Sequence, residues 1–144
     1  MDAVSSYGTY VACRFDEATL DKIQEIQEAL PIFNPVPREE LHSTIIYSTE
    51  EIPFLPADFG TLLAESCHLR VFETPKGNVL VLAYESPHMN KRFSQGMMLG
   101  ATYDFDEYIP HITIAKDVGT HPYDGVYEFP IVSAYEYMEE LDPS

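Results

Sequence analysis

The feature that most constrains this chain is a four-residue pattern, His-x-Thr-Ile, that occurs twice. It begins at His42 in Leu-His-Ser-Thr-Ile-Ile and again at His111 in Pro-His-Ile-Thr-Ile-Ala. Both copies are rich in β-branched residues, which is typical of strands. Because alternate side chains of a strand share a face, His42 projects with Thr44, and His111 with Thr113. The repeat therefore predicts two strands that each present an imidazole and a hydroxyl on one face.

The sequence before the first copy predicts a strand, a helix and a proline-rich connection. Residues 8–15 alternate as a strand, with Tyr10 and Arg14 on the same face. Asp16 is a suitable cap for a helix whose apolar positions recur until Pro31. The connection then leads into the first motif strand, predicted over 41–48.

The second half repeats this order with an added hairpin. Ser86 or Asn90 can begin the second helix, and Gly96 and Gly100 weaken it by roughly 1 kcal/mol each. A last strand or two is expected from Tyr127 to about Met138. The other predicted elements are a loop over 50–60, strands over 66–74 and 79–85 joined by a turn at 75–78, a loop over 104–110 and the second motif strand over 111–116.

These elements predict an α+β fold in a single domain over residues 1–144. The two similar halves predict two lobes, one of about 8–60 with the first motif and one of about 66–140 with the second. An exchange of terminal segments between the lobes is left open. No apolar run is long enough to span a membrane. The N-terminus does not look like a signal peptide, and Cys13 and Cys67 lack metal or redox spacing, so a disulfide is not required and a cytoplasmic setting is expected.

The charge balance limits the partners. The chain has 24 acidic and 8 basic residues, a net charge of -16. Binding to duplex nucleic acid or an anionic membrane needs clustered Lys and Arg, which are lacking here, so neither partner is expected. A small anion in a local pocket remains allowed, and solubility is the simplest reason for the acidity. The same charge should raise the pKa of the histidines unless burial opposes it.

Two pairs of imidazole and hydroxyl suit the cleavage of a phosphodiester next to a ribose 2′-hydroxyl. One histidine can take the proton of the attacking hydroxyl while the other protonates the leaving 5′-oxygen. The two threonine hydroxyls can donate to the phosphate oxygens, where charge develops. This chemistry demands neither a metal nor another cofactor.

The motifs His42-Ser-Thr44 and His111-Ile-Thr113 resemble those of the 2H phosphoesterase superfamily, and the chain is most similar to its phage anti-CBASS phosphodiesterases. The similarity extends to the segments 10–21, 34–38 and 99–102 and to the 69-residue spacing of the two histidines. It implies a LigT-like fold with two pseudo-symmetric βαβ-type lobes around a central cleft. It also implies degradation of the cyclic nucleotide messengers of bacterial antiphage defence, in the host cytoplasm if the chain comes from a phage.

By this resemblance, His42 and His111 are the catalytic acid and base in an order that the sequence leaves open. Thr44 and Thr113 contact the phosphate.

The resemblance also suggests three substrate-binding residues. Tyr10 lies where these enzymes place an aromatic ring against a nucleobase, and Phe72 stands where a tryptophan is expected in close relatives. Glu139 matches an acidic group that contacts a base edge.

Three alternatives remain at this stage. Other 2H enzymes act on RNA ends or 2′,3′-cyclic phosphates. A metal-binding protein could use His42 and His111 with nearby carboxylates, although neither histidine has a second ligand at a typical spacing. A non-catalytic protein could sequester a nucleotide or mimic DNA. The predicted substrate is a cyclic di- or trinucleotide cleaved at its 3′–5′ linkages, and the oligomeric state is left open.

Overall fold

The computed structural model describes residues 8–103 and 107–140. The N-terminal residues before them, part of the predicted loop over 104–110 and the acidic end beyond 140 lie outside the described residues. A 3₁₀ turn at Arg38–Glu40 precedes the first motif strand. The strands and α-helices are β1 Thr9–Phe15, α1 Glu17–Ala29, β2 Ser43–Ser48, β3 Thr61–Thr74, β4 Gly77–Ala83, α2 Pro87–Met98, β5 His111–Lys116 and β6 Val126–Glu140.

The strands form one antiparallel sheet in the order β2-β1-β6-β3-β4-β5. The predicted order of strand, helix and motif strand is confirmed in both halves. β1 pairs with β2 in the first half, and β4 pairs with β5 in the second, both antiparallel. β6 is longer than expected. Its residues 133–140 pair with β1, and its residues 126–133 pair with β3. One C-terminal strand therefore holds the two halves together.

Both helices begin at side-chain caps. The Asp16 carboxylate accepts a hydrogen bond from the backbone N–H of Thr19 at 2.9 Å, as the sequence predicted. The Ser86 hydroxyl accepts one from the N–H of Met89 at 3.1 Å. The second helix therefore starts after Ser86 and not at Asn90, because a cap that satisfies a free N–H fixes the first turn.

Each helix contacts the motif strand of the other half. α1 follows β1 but contacts β5 and β6, whereas α2 follows β4 and contacts β2 and β3. The buried Gln27 side chain of α1 donates to the carbonyl of Ile114 in β5 at 2.9 Å. On α2, a Cβ built on Gly96 would collide with Cδ1 of Ile46 in β2 and lie 2.9 Å from its Cγ1, so the absence of a side chain allows this close packing.

The connection that precedes each motif also contacts the motif strand of the other half. The N–H of Val36, ahead of the first motif, donates to the carbonyl of Ile114 in β5 at 2.9 Å. The N–H of Thr102, ahead of the second motif, donates to the hydroxyl of Ser48 in β2 at 2.9 Å. Each motif strand is thus held by the segment that leads to the other motif.

The two cysteines, Cys13 and Cys67, are buried free thiols. Within residues 8–103 and 107–140, neither helix is long and apolar enough to cross a membrane.

Candidate active site

Both motif strands contain a β-bulge directly after the threonine. Ala12 pairs with Thr44 but Val11 pairs with Ile46, so one extra residue is accommodated in β2. The same irregularity follows Thr113 in β5, between its partners Val81 and Leu80. A bulge shifts the alternation by one residue, so that the two residues after each threonine are both buried. Both copies of His-x-Thr-Ile therefore have the same local geometry. In each, the histidine and the threonine share one face, and a β-bulge follows the threonine.

The two histidines are held in the same way. Nδ1 of His42 lies 2.8 Å from the carbonyl oxygen of Glu40, and Nδ1 of His111 lies 2.7 Å from that of Ile109. A carbonyl only accepts, so Nδ1 carries a proton and donates in both rings. Nε2 is then the nitrogen that can take up or release a proton, and each ring orientation is fixed by the backbone two residues earlier.

The surroundings of the two rings differ. The rings of His111 and Phe72 make a T-shaped contact, with ring centroids 4.9 Å apart. Burial lowers the pKa of His111; the hydrogen bond to Ile109 opposes this shift, and the nearby His42 adds to it. At His111 burial therefore opposes the rise in pKa that the net charge led us to expect, because desolvation disfavours the charged imidazolium.

The hydroxyl of Thr44 has an aromatic partner. The hydroxyl oxygens of Thr44 and Tyr10 lie 2.9 Å apart. Burial is the main cause that raises the pKa of Tyr10 to about 12, so the Tyr10 hydroxyl keeps its proton at neutral pH. The Tyr108 hydroxyl donates to the backbone carbonyl of Thr44 at 2.8 Å, and its ring stacks on Phe93 of α2 with centroids 4.3 Å apart. Thr44 is thereby fixed through both its side chain and its backbone.

A cleft of about 1110 Å³ brings the predicted site residues together. Phe72 is half-buried, and Arg70 lies over its ring with Cζ 5.2 Å from the centroid. Glu139 is exposed and pairs with Tyr10 across β1 and β6. All seven predicted residues line this cleft, namely Tyr10, His42, Thr44, Phe72, His111, Thr113 and Glu139.

Similarity to known proteins agrees with this geometry. A family model described as anti-CBASS protein Acb1 matches residues 7–144. The chain belongs to the anti-CBASS protein Acb1 family. Its Acb1 relatives include the protein of Enterobacteria phage T4, 44% identical over 136 residues that cover 94% of this chain and 90% of the relative. The relative from Acinetobacter phage Ac42 is 42% identical over 137 residues, covering 94% and 91%.

Solved structures show that this Acb1 family member has a LigT-like fold. A protein of Thermus thermophilus superimposes with a TM-score of 0.64 at 18% identity, covering 94% of this chain and 90% of that chain. The structure of E. coli LigT complexed with 3′-AMP superimposes with a TM-score of 0.54 at 15% identity, covering 93% and 87%. The predicted LigT-like fold is confirmed, and the family match confirms the resemblance to the anti-CBASS proteins.

The cleft of this Acb1 family member also contains cations that the sequence did not assign to the site. Arg14 donates to the carbonyl of Glu39 at 2.8 Å, and its guanidinium lies 5.1 Å from the ring centroid of Tyr137. Arg14 shares a strand face with Tyr10, so the alternation of β1 was a usable signal. Three of the eight basic residues of the chain, Arg14, Arg70 and Lys116, line the cleft beside four glutamates.

No group of three or more His, Cys, Asp or Glu side chains in the described residues is arranged to hold a metal ion.

Proposed function

We propose that this protein is a metal-independent phosphodiesterase that opens 3′–5′ linkages of cyclic di- or trinucleotide messengers and thereby counters CBASS defence. The observation that carries the proposal is the symmetric pair of motifs: both histidines line one cleft, and each has Nδ1 bonded to a backbone carbonyl. Two such imidazoles can exchange protons through Nε2 on either side of one phosphate. Membership of the Acb1 family and the LigT-like fold support this chemistry.

We infer the roles of the two histidines from their environments. His111 is half-buried and has a pKa lowered by desolvation, so it is neutral near pH 7 and can accept the proton of the ribose 2′-hydroxyl. Among the described residues, the nearest aromatic ring to His42, that of Tyr10, is 6.3 Å away, and we infer that His42 acts as the acid that protonates the leaving 5′-oxygen. The 2′-oxygen forms a bond to phosphorus as the bond to the 5′-oxygen breaks, which opens the ring and leaves a 2′,3′-cyclic phosphate. Attack by water, with the roles of the histidines reversed, leaves a phosphate at the 3′ side.

Charge stabilisation and base contacts come from the cleft walls. Thr44 and Thr113 donate to the non-bridging phosphate oxygens, and the loss of one such donor typically costs about 10²–10³ in kcat. Tyr10 and Phe72 supply aromatic surface against the bases, and Glu139 accepts hydrogen bonds from a base edge.

The distribution of charge favours a small substrate over a polymer. Three basic side chains line the cleft beside four glutamates and can contact a few phosphates, while the charge of -16 on the whole chain repels long nucleic acid. A second candidate is an enzyme that acts on RNA ends, and the fold shared with LigT, solved with 3′-AMP, is the observation that favours it. For either substrate, the host cytoplasm is the proposed place of action.

The proposal is tested by incubating the purified protein, in EDTA, with 3′,3′-cyclic GMP-AMP, its 2′-deoxy analogue and a tRNA-end substrate. We expect cleavage of the cyclic dinucleotide to linear products and no cleavage of the 2′-deoxy analogue, which lacks the nucleophile. Processing of the RNA alone would contradict the assigned substrate. Cleavage of the deoxy analogue would contradict the attack by the 2′-hydroxyl, and a requirement for added metal would contradict the metal-independent mechanism.

A further inference from the structure

The middle residue of the first motif, Ser43, takes part in a buried chain of hydrogen bonds. Its side chain lies on the opposite face from His42 and Thr44 and is fully buried. The Ser43 hydroxyl donates to the backbone carbonyl oxygen of His111 at 2.7 Å. It also accepts a hydrogen bond from the hydroxyl of Tyr84, itself 3% exposed, at 2.8 Å. The chain therefore runs from Tyr84 through Ser43 to the backbone of the second motif histidine.

This contact has no counterpart in the second motif. The equivalent middle residue is Ile112, which is buried and apolar. An apolar residue is therefore sufficient for packing at this position of the repeat. A hydroxyl in such a place has to be hydrogen-bonded to be tolerated, and Ser43 and Tyr84 meet that requirement together.

The contact from Ser43 to His111 joins β2 and β5, which are not neighbours in the hydrogen-bonded sheet. β2 pairs with β1, and β5 pairs with β4, at the two ends of the strand order. The ladder therefore fixes each motif within its own half but does not directly set the separation between them. The bond from Ser43 connects the neighbour of His42 to the backbone of His111.

We propose that Ser43, oriented by Tyr84, is a positioning residue that fixes the separation of the His42 and His111 imidazoles. This inference rests on the proposed two-histidine mechanism, in which both rings act on one phosphate. A displacement of about 1 Å between catalytic groups can cost on the order of 10²-fold in rate. Because Ser43 faces away from the cleft, its loss should change the rate of the chemical step much more than the binding of substrate.

The first test compares Ser43→Ala with the unmodified protein on 3′,3′-cyclic GMP-AMP. We expect kcat to fall at least about tenfold, with KM changed by less than about threefold. Tyr84→Phe keeps the bond from Ser43 to His111 but removes the group that orients it, so we expect a smaller fall in kcat. A wild-type kcat in Ser43→Ala would overturn the proposal; if Ser43→Ala does not fold, a wild-type kcat in Tyr84→Phe would overturn it.

The double variant Ser43→Ala with Tyr84→Phe separates positioning from stability. Ser43→Ala leaves the Tyr84 hydroxyl buried without a partner, whereas the double variant removes both polar groups and should recover part of the lost Tm. We expect kcat to remain low in the double variant. A kcat that recovers together with Tm would overturn the proposal, because the serine would then act only through stability.

Thr19→Val is the matched control, because Thr19 is also a buried hydroxyl that joins two elements. It donates to the Pro130 carbonyl at 3.3 Å and accepts from the N–H of Val132 at 3.0 Å, away from the cleft. We expect a lower Tm with unchanged kcat. An equal loss of kcat in Thr19→Val would contradict the assignment to Ser43. If the unmodified protein cleaves no cyclic dinucleotide, the proposed function fails; if it does and Ser43→Ala retains its kcat, only this inference fails.

Discussion

At the scale of single residues, the two copies of the motif are identical in chemistry and different in environment. Both imidazoles donate from Nδ1 to the carbonyl two residues earlier. The rings of His111 and Phe72 make an edge contact with centroids 4.9 Å apart, and burial lowers the pKa of His111. The repeat therefore supplies two similar groups, and the lowered pKa of His111 is the reason that we propose it as the base.

The pH dependence of kcat/KM should report this difference. A base acts when neutral, so activity falls as the pH decreases through the pKa of His111, which lies below the usual value of about 6.5. Phe72→Ala should admit water to the ring and weaken the desolvation. The pKa then rises towards 6.5, and the acidic limb of the profile moves to higher pH.

Tyr47→Ala is the control for this experiment, because Tyr47 lines the same cleft but contacts Tyr10 rather than His111. Its acidic limb should stay in place. An acidic limb that does not move in Phe72→Ala would contradict the assignment of His111 as base, and a profile with no titration between about pH 5 and 9 would contradict the two-histidine mechanism.

Sequence reasoning was sufficient for residues whose role follows from local spacing. The histidines and threonines were found because a strand places every second side chain on one face. Local spacing assigned no role to Ser43, because its partners Tyr84 and His111 lie 41 and 68 residues along the chain. The assigned roles of Tyr10, Phe72 and Glu139 remain predictions that the substrate and its analogues can test.

At the scale of elements, the paired bulges and the exchanged helices explain how the motifs are held. The bulges after Thr44 and Thr113 were not predicted, because two successive buried apolar residues look like an ordinary buried strand. Gly96 was expected only to weaken α2. In the fold it allows the helix to pack closely on Ile46, two residues beyond Thr44. A helical glycine can thus stabilise packing that its propensity opposes.

Gly96→Ala tests this packing. Alanine favours a helix interior by about 1 kcal/mol over glycine, but its Cβ would collide with Cδ1 of Ile46. We expect a net loss of about 1–3 kcal/mol in the free energy of unfolding, measured by urea denaturation. Adding Ile46→Val, which removes Cδ1, should recover part of the loss. An increase in stability for Gly96→Ala alone would show that the close contact is not a constraint.

At the scale of the whole molecule, the order of elements along the chain was predictable. The contacts that join the two halves were not. Local periodicity, the caps at Asp16 and Ser86 and the turn before Gly77 define the elements. The pairing of β6 with both β1 and β3 depends on long-range contacts that no local pattern records. The lobe boundaries of about 8–60 and 66–140 remain a prediction, since β6 takes part in both halves.

The same scale concerns the charge that an anionic substrate would meet. The net charge of -16 is a property of the whole surface, whereas Arg14, Arg70 and Lys116 line the cleft together with four glutamates. Arg38, in contrast, is paired with Glu17 and Asp21 of α1. Local cations within a repulsive surface favour a small ligand over a polymer.

The most direct test of the two-motif site is the rate of 3′,3′-cyclic GMP-AMP cleavage in EDTA by His42→Ala, His111→Ala and the double variant. Residues that act as one unit are strongly non-additive. Each single variant should lose at least about 10³-fold in kcat/KM, and the double variant should lose little more. Folding of each variant is checked by its Tm. A single variant that keeps near-wild-type cleavage, or losses that multiply in the double variant, would contradict the account of one site built from both motifs.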